Sequence, residues 1–306
     1  MKFDWNKITF KKGMSFLNRN IRYYFDRLSF FKLINSYYFL FRGKLYSAPT
    51  VRQAKILRGY INGNLTKIRE SIPLNLLGLV IDKSNPVILD IGGNIGYNSI
   101  LYSKLLSNID SGMCFTFEPL SLNRHHISRN IKGLSNIYLL PFGLSDSFAI
   151  VPFDIPEYVF SYKKGKDLLN TGLISAKGLR ENKSSLSDKG LIVPLDSFNS
   201  FFNKINANII YIKIDVEGME LSVILGALDL LKMHTPIIQY EYNPKTNSEN
   251  DIINIYSKLK EIGYQFFSTL IFQIGNECEI YCFSEDFVEK FSKELQRFGL
   301  IKIELK

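Results

Sequence analysis

Four carboxylates stand at or near the ends of apolar runs. Asp90 follows "VIL", Glu118 follows "CFTF", Asp215 follows "IIYIKI", and Glu241 sits in "PIIQYEY". An acid placed so can take a proton from a reacting group, and burial among other acids raises its pKa and improves it as a base. The same acids could instead hold a divalent cation, because hard cations take oxygen ligands. Asp215, Glu217 and Glu241 are the candidate catalytic residues, and Glu220 joins them as a further acid. Glu217 and Glu220 read equally well as acids in the first turn of a helix, where they favour the dipole without any chemistry. His125, His126 and His234 are the other bases; the adjacent pair reads as helix surface and His234 as part of a helix-to-strand loop.

The stretch "VILDIGGNIGYNS", Val87 to Ser99, runs from an apolar segment into three glycines within five positions. A strand that ends in glycines and then starts a helix brings backbone N–H groups close to a ligand. A dinucleotide fingerprint needs glycines one, three and six of G-x-G-x-x-G. Here Asn94 and Tyr97 stand at the second and third of those places. What remains is Asp90-x-Gly92-Gly93-x-x-Gly96, with an acid two residues before the first glycine. A loop that receives the ammonium and carboxylate of an amino-acid-type ligand can use that acid, which favours S-adenosylmethionine over NAD. Glu118, 22 residues past Gly96, suits an acid at the next strand's tip that accepts hydrogen bonds from a ribose.

The elements that must position these groups follow from the pattern. Val87–Ile91 reads as a buried parallel strand and Tyr97–Leu106 as a helix. Met113–Pro119 is a second strand, Ser121–Ile131 a second helix, and "NIYLLPFGLS" a third strand ending at Gly143. Asn208–Gly218 is a fourth strand, and Leu221, Ile224, Leu228 and Leu231 line one face of the helix after it. Pro236–Tyr242 is a fifth strand, Asp251–Ile262 a helix, and the segment from Tyr264 to Ser284 an antiparallel pair turning at Gly275-Asn276. The order predicts an α/β fold: a doubly wound, mostly parallel, Rossmann-like sheet closed by a C-terminal antiparallel strand pair. Residues 158–190, polar and rich in lysine and glycine, read as an inserted lid near the carboxyl ends of the strands.

Charge divides the chain. Residues 1–85 hold 16 Lys and Arg against 4 Asp and Glu, whereas the remainder holds 22 against 25. The first 85 residues therefore read as a basic, aromatic-rich, helical N-terminal extension, and residues 86–306 as the main domain. "YYFDRLSFFKLINSYYFLF" is interrupted by charge, so no apolar run reaches the ~20 residues of a spanning helix. Such a leader can cap the main domain, lie on an anionic membrane surface through residues 1–60, or bind nucleic acid, the least expected of the three. Cys114, Cys278 and Cys282 make no C-x-x-C pair and read as reduced thiols, which points to a cytoplasmic protein.

"LDIGGNIGYNS", "FTFEPLSLNRHHISRN" and "IKIDVEGMEL" resemble, in that order, the motifs of the FkbM-type S-adenosylmethionine-dependent methyltransferases. The resemblance spans Val87 to Glu241 and does not reach residues 1–60. It implies a class I methyltransferase fold with Asp90, Gly92, Gly93, Asn94 and Gly96 around the methionine moiety of the cofactor and Glu118 on the ribose. It also implies that "GLSD", with Gly143 and Leu144, lines the adenine. The expected activity is methyl transfer to a hydroxyl of a sugar, glycan or other small molecule. RNA methylation and a non-catalytic nucleotide-binding or membrane-associated module are the alternatives.

Overall fold

The computed structural model describes residues 30–33, 36–41, 44–49, 51–62, 68–155, 175–176 and 186–305. The described chain begins with an antiparallel meander, β1 (Phe30–Leu33), β2 (Ser36–Phe41) and β3 (Lys44–Ala48). Helices α1 (Val51–Asn62) and α2 (Ile68–Gly78) follow. The expected all-helical extension is thus corrected over Phe30–Ala48. Runs such as "SYYFLF" favour a pleated surface, where dense aromatic side chains fit better than on a helix. Tyr46 and Ala48 of β3 and Ala54, Leu57 and Ile61 of α1 form one buried cluster with Ile95 and Ile100 of the main domain. Burying a leucine such as Leu57 fully is worth ~1.5–3 kcal/mol, so this contact fixes the extension in place.

The main sheet grows from short apolar runs. β4 (Pro86–Ile91) is buried at every position and leads through α3 (Tyr97–Leu106) to β5 (Met113–Phe117). α4 (Ser121–Asn130) then leads to β6 (Ile137–Leu140). The expected third strand stops there. Gly143–Ser145 forms a separate strand, β7, which joins β8 (Ala149–Ile155), β9 (Ser175–Ala176) and β10 (Leu186–Pro194) in a sheet of order β7-β10-β8-β9. Of the expected lid, residues 175–176 and 186–190 are strands of this small sheet; the rest lies outside the described residues.

After a 3-10 turn (Leu195–Phe198) and α5 (Asn199–Lys204), β11 (Asn208–Ile214) returns to the main sheet. The helix expected next is two helices, α6 (Glu220–Leu225) and α7 (Leu228–His234), divided at Gly226. A Cβ on Gly226 would stand 1.8 Å from the Ser145 carbonyl oxygen, so the break is where β7 passes close by. β12 (Ile237–Tyr242), α8 (Glu249–Glu261), β13 (Tyr264–Ser268) and β14 (Cys278–Ser284) follow. α9 (Glu285–Arg297) and β15 (Ile301–Ile303), for which the sequence raised no expectation, end the described chain.

The eight strands run β15-β13-β14-β12-β11-β4-β5-β6. β4 pairs parallel with both β5 and β11, and β11 with β12, while β14 pairs antiparallel with β12 and β13. The doubly wound, mostly parallel sheet and its C-terminal antiparallel pair are therefore present. The direction of winding reverses between β4 and β11. Open α/β sheets bind ligands outside the carboxyl ends of the strands at such a switch point.

Candidate active site

At the carboxyl end of β4 the chain turns under tight packing. Gly92 and Gly96 adopt φ of +86° and +88°, and Asn94 between them also has positive φ. A Cβ on Gly92 would meet the Asp215 carbonyl oxygen at 1.9 Å, and one on Gly93 would meet the Thr116 methyl at 2.3 Å. Both amides donate to the Phe117 carbonyl, at 3.0 and 3.1 Å. The first two glycines therefore answer to neighbouring strands: they let the β4 turn nest between the ends of β5 and β11.

Glu118 follows β5 and is buried. Its Oε2 accepts from the Asn94 amide at 2.8 Å and its Oε1 from the Leu120 amide at 2.9 Å. Burial pushes the carboxyl up to about 7, against the pull of these two amide bonds. The Asn123 side chain adds a third hydrogen bond to this carboxyl, so the acid expected to meet a ribose also holds the glycine turn.

A row of polar side chains crosses the sheet one step below the strand tips. Thr116, Asp90, Lys213 and Gln239 are register partners on β5, β4, β11 and β12, so they share one face. All four are buried. Thr116 Oγ1 donates to Ser99 Oγ at 2.9 Å, and Ser99 Oγ donates to Asp90 Oδ2 at 2.6 Å. Asp90 Oδ1 is buried and makes no hydrogen bond. Burial raises the Asp90 carboxyl against the pull of Lys213 and Ser99. On the other flank Tyr211 OH donates to Gln239 Oε1 at 2.5 Å, and Gln239 Nε2 donates to Glu279 Oε2 at 2.8 Å.

Above this row stand the expected catalytic acids. Lys213 Nζ donates to Asp215 Oδ2 at 2.7 Å; the lysine side chain is 10% exposed and the aspartate 39%. Glu241 lies opposite Glu279 across β12 and β14 and is half-buried. Burial, then the charges of Asp215, Glu279 and Glu277, push its carboxyl up to about 8, with Lys213 pulling the other way. Asp215 and Glu241 are therefore brought together, as adjacent strand ends require.

Glu220 takes the expected place in the first turn of a helix, and Glu217 does not. Glu217 precedes α6 in a loop, with φ of +53°, because the chain turns sharply through Glu217 and Gly218 before the helix starts. Glu220 is buried in the first turn of α6 and organises that loop. It accepts from the amides of Val216 and Gly218 and, at 2.6 Å, from Asn247 Nδ2. Its carboxyl is raised by burial against these bonds, and its role is structural.

The histidines and the remaining candidates fall elsewhere. His125 is exposed, but His126 is buried rather than on a helix surface. Its Nδ1 lies 3.0 Å from Ser47 Oγ, and burial, with His125 and Arg129 nearby, lowers its pKa to about 4. β3 covers that face of α4, which the sequence did not announce. His234 ends α7 rather than lying in a loop. Gly143 packs against Pro119, where a Cβ would meet the ring at 3.3 Å, and the Leu144 side chain lies in the main core. Among the described residues no three of His, Cys, Asp and Glu are grouped to hold a metal ion. The Asp215 Oδ2 oxygen receives Lys213.

Three residues that the sequence reading passed over shape the site. Lys213 could have been found as the charge inside an apolar strand, since lysine is almost never buried unless paired. Gln53 on α1, whose Nε2 lies 3.5 Å from Asn94 Oδ1, and Asn130 on α4 carry no local signal.

The chain is similar to several solved structures at low identity. A methyltransferase FkbM from Methylobacillus flagellatus KT is 16% identical, covering 66% of this chain and 45% of its own, with a TM-score of 0.40. This chain thus spans less than half of that protein's length. A precorrin-6y C5,15-methyltransferase from Geobacter metallireducens GS-15 is 14% identical over 69% of this chain and 87% of its own, with a TM-score of 0.34. An O-methyltransferase from Bacillus cereus in complex with SAH is 12% identical over 76% and 90%, with a TM-score of 0.39. Comparison with curated proteins finds no match. Residues 90–266, more than half of the chain, match the methyltransferase FkbM domain model, and the chain belongs to that family of S-adenosylmethionine-dependent methyltransferases.

Proposed function

We propose that the protein transfers a methyl group to a hydroxyl of a sugar, glycan or other small molecule, with Glu241 as the base. The observation that carries this reading is the Glu241 carboxyl, pushed up to about 8 beside Asp215 at the switch-point end of the sheet. A base tuned near neutral pH suits the removal of a proton from a hydroxyl as it is attacked. S-adenosylmethionine, when bound, supplies an activated methyl on a sulfonium. The residues fit that group. The turn from Gly92 to Gly96 and Glu118 close one side of the crevice, and Asp90 Oδ1 is a buried acceptor without a partner. Glu118 would accept from the ribose hydroxyls, and Gly143 and Leu144 would line the adenine through their backbone. Asp215, held by Lys213, would orient the acceptor for Glu241.

Glu241, Asp215, Glu277 and Glu279 make this side of the crevice acidic, which favours a neutral acceptor over a phosphodiester. The inward packing of Tyr46, and of Tyr38 under the Arg129 guanidinium at 5.2 Å, supports the cap reading of residues 36–48 over a membrane-facing one. The test is calorimetric binding of S-adenosylmethionine against NAD, followed by an acceptor screen with a labelled methyl donor. Label on carbohydrate or small-molecule hydroxyls is the expected result. Label on amines or RNA alone, or tighter binding of NAD, would overturn the reading.

A further inference from the structure

Lys213 sits where the two halves of the main sheet meet. It lies opposite Asp90 on one side and Gln239 on the other, buried within a strand whose other residues are apolar apart from Asn208 at its start and the Tyr211 hydroxyl. A buried ammonium is destabilising unless its partners repay the loss of water. Burial alone would lower its pKa, but Asp215, Asp90 and Glu279 outweigh burial and hold it above the ordinary lysine value. Lys213 is therefore charged throughout the working range of pH. Its one described hydrogen bond runs two residues along its own strand to Asp215 Oδ2. The groups whose charges act on Glu241 are Asp215, Glu279, Glu277 and Lys213, and Lys213 is the cation among them.

We propose that Lys213 is a positioning residue for methyl transfer: its buried ammonium pins the Asp215 carboxylate on the acceptor side of the crevice and couples it to Asp90 on the cofactor strand. The proposal rests on the acceptor-side reading of Asp215 and Glu241 given above. Without Lys213, the half-exposed Asp215 would swing into water, and Glu241 would face three carboxylates with no opposing charge. The acceptor would then be misaligned, while the Gly92–Gly96 turn and Glu118 would still hold the cofactor.

The test uses the full chain with Lys213→Met, Asp215→Asn and the double variant, which removes both partners and leaves a neutral pair if Lys213→Met alone fails to fold. Four quantities are measured: S-adenosylmethionine affinity by calorimetry, kcat and KM on the acceptor found in the screen, and the titration of a 13C-labelled Glu241 carboxyl. Lys213→Met should bind cofactor within about threefold of wild type, lose ~10²-fold in kcat, and move the Glu241 midpoint up by about one pH unit. The double variant should be no slower than the slower single variant, because the two residues act as a unit. A Glu241 titration unmoved by Lys213→Met would overturn the proposal, as would multiplicative losses in the double variant. So would cofactor affinity falling in step with kcat. The titration needs no turnover, so it reads Lys213 even if no hydroxyl acceptor is found and the base assignment to Glu241 fails.

Discussion

The Asn130 side chain holds Ser47 as a neighbouring strand would. Its Oδ1 accepts from the Ser47 amide at 2.8 Å and its Nδ2 donates to the Ser47 carbonyl at 2.8 Å. The same Nδ2 donates to the Ile95 carbonyl at 2.9 Å, inside the glycine turn. One buried amide thus joins the N-terminal meander to the cofactor loop. Gln53 adds a second link through Asn94.

Asn130→Ala would leave a buried amide and two buried carbonyls unpaired. Each such group costs about 1–3 kcal/mol, so a loss of at least ~2 kcal/mol in stability is expected from urea unfolding. Cofactor affinity should fall as well, because Ile95 is in the turn. A variant as stable as wild type with unchanged affinity would show that the extension and the turn are energetically independent.

Glu118 has two tasks, and two substitutions separate them. Glu118→Ala removes the acceptor for the Asn94 and Leu120 amides along with the proposed ribose contacts. Charged acceptors of this kind are worth ~1.5–3 kcal/mol, so cofactor affinity should drop about ten- to a hundredfold in calorimetry. Glu118→Gln keeps one carbonyl oxygen for one amide and should fall between Ala and wild type. Wild-type affinity in a folded Glu118→Ala protein would remove Glu118 from the cofactor site.

Gly92→Ala tests the nesting of the turn against β11. The new Cβ would stand 1.9 Å from the Asp215 carbonyl oxygen, at a φ that itself penalises alanine by ~1–2 kcal/mol. Stability and cofactor binding should both fall, since the turn must withdraw from Asp215. Gly78→Ala is the control: nothing lies within 4 Å of its Cβ position, so it should be neutral or stabilising by ~0.4–1 kcal/mol. Thermal unfolding of the two variants side by side gives the comparison.

Much of this site was readable in the chain because it rests on short-range patterns. Apolar runs ending in Asp90, Glu118 and Asp215 had to be strands, and the glycines between Gly92 and Gly96 had to be a turn at a strand end. Those glycines have a further reason that the local pattern does not show. They clear the way for Asp215 and Thr116, contacts made across the sheet by residues 23 and 123 positions away. His126 looked like helix surface because its cover, Ser47, lies 79 positions earlier in the chain. Lys213 was visible but overlooked, since a single charge did not disturb an otherwise strand-like pattern. The meander was hidden by composition: basic residues interleaved with aromatics look alike whether the chain is helix or sheet.

Glu241 sets the expected pH dependence. Its carboxyl stands at about 8, raised first by burial and then by Asp215, Glu279 and Glu277. A base works deprotonated, so kcat should rise about tenfold per pH unit below that value and level off above it. The measurement is made at saturating cofactor, because Glu118, at about 7, also changes charge on the way. Stability carries the opposite sign. Below the ordinary value of 4.5, Glu241 is protonated in both the folded and the unfolded chain and contributes nothing. Between 4.5 and about 8 the unfolded chain releases a proton that the folded protein keeps, so stability falls as pH rises and the deficit is complete above about 8. Glu241→Gln cannot ionise. Its unfolding temperature should match wild type near pH 4 and exceed it at pH 8.5, while methyl transfer falls ~10²–10⁴-fold. A wild-type rate in that variant, or a kcat that is flat from pH 6 to 9, would take the base role away from Glu241. Asp215, one strand over from Glu241 and held by Lys213, would then be the remaining acid in place to fill it.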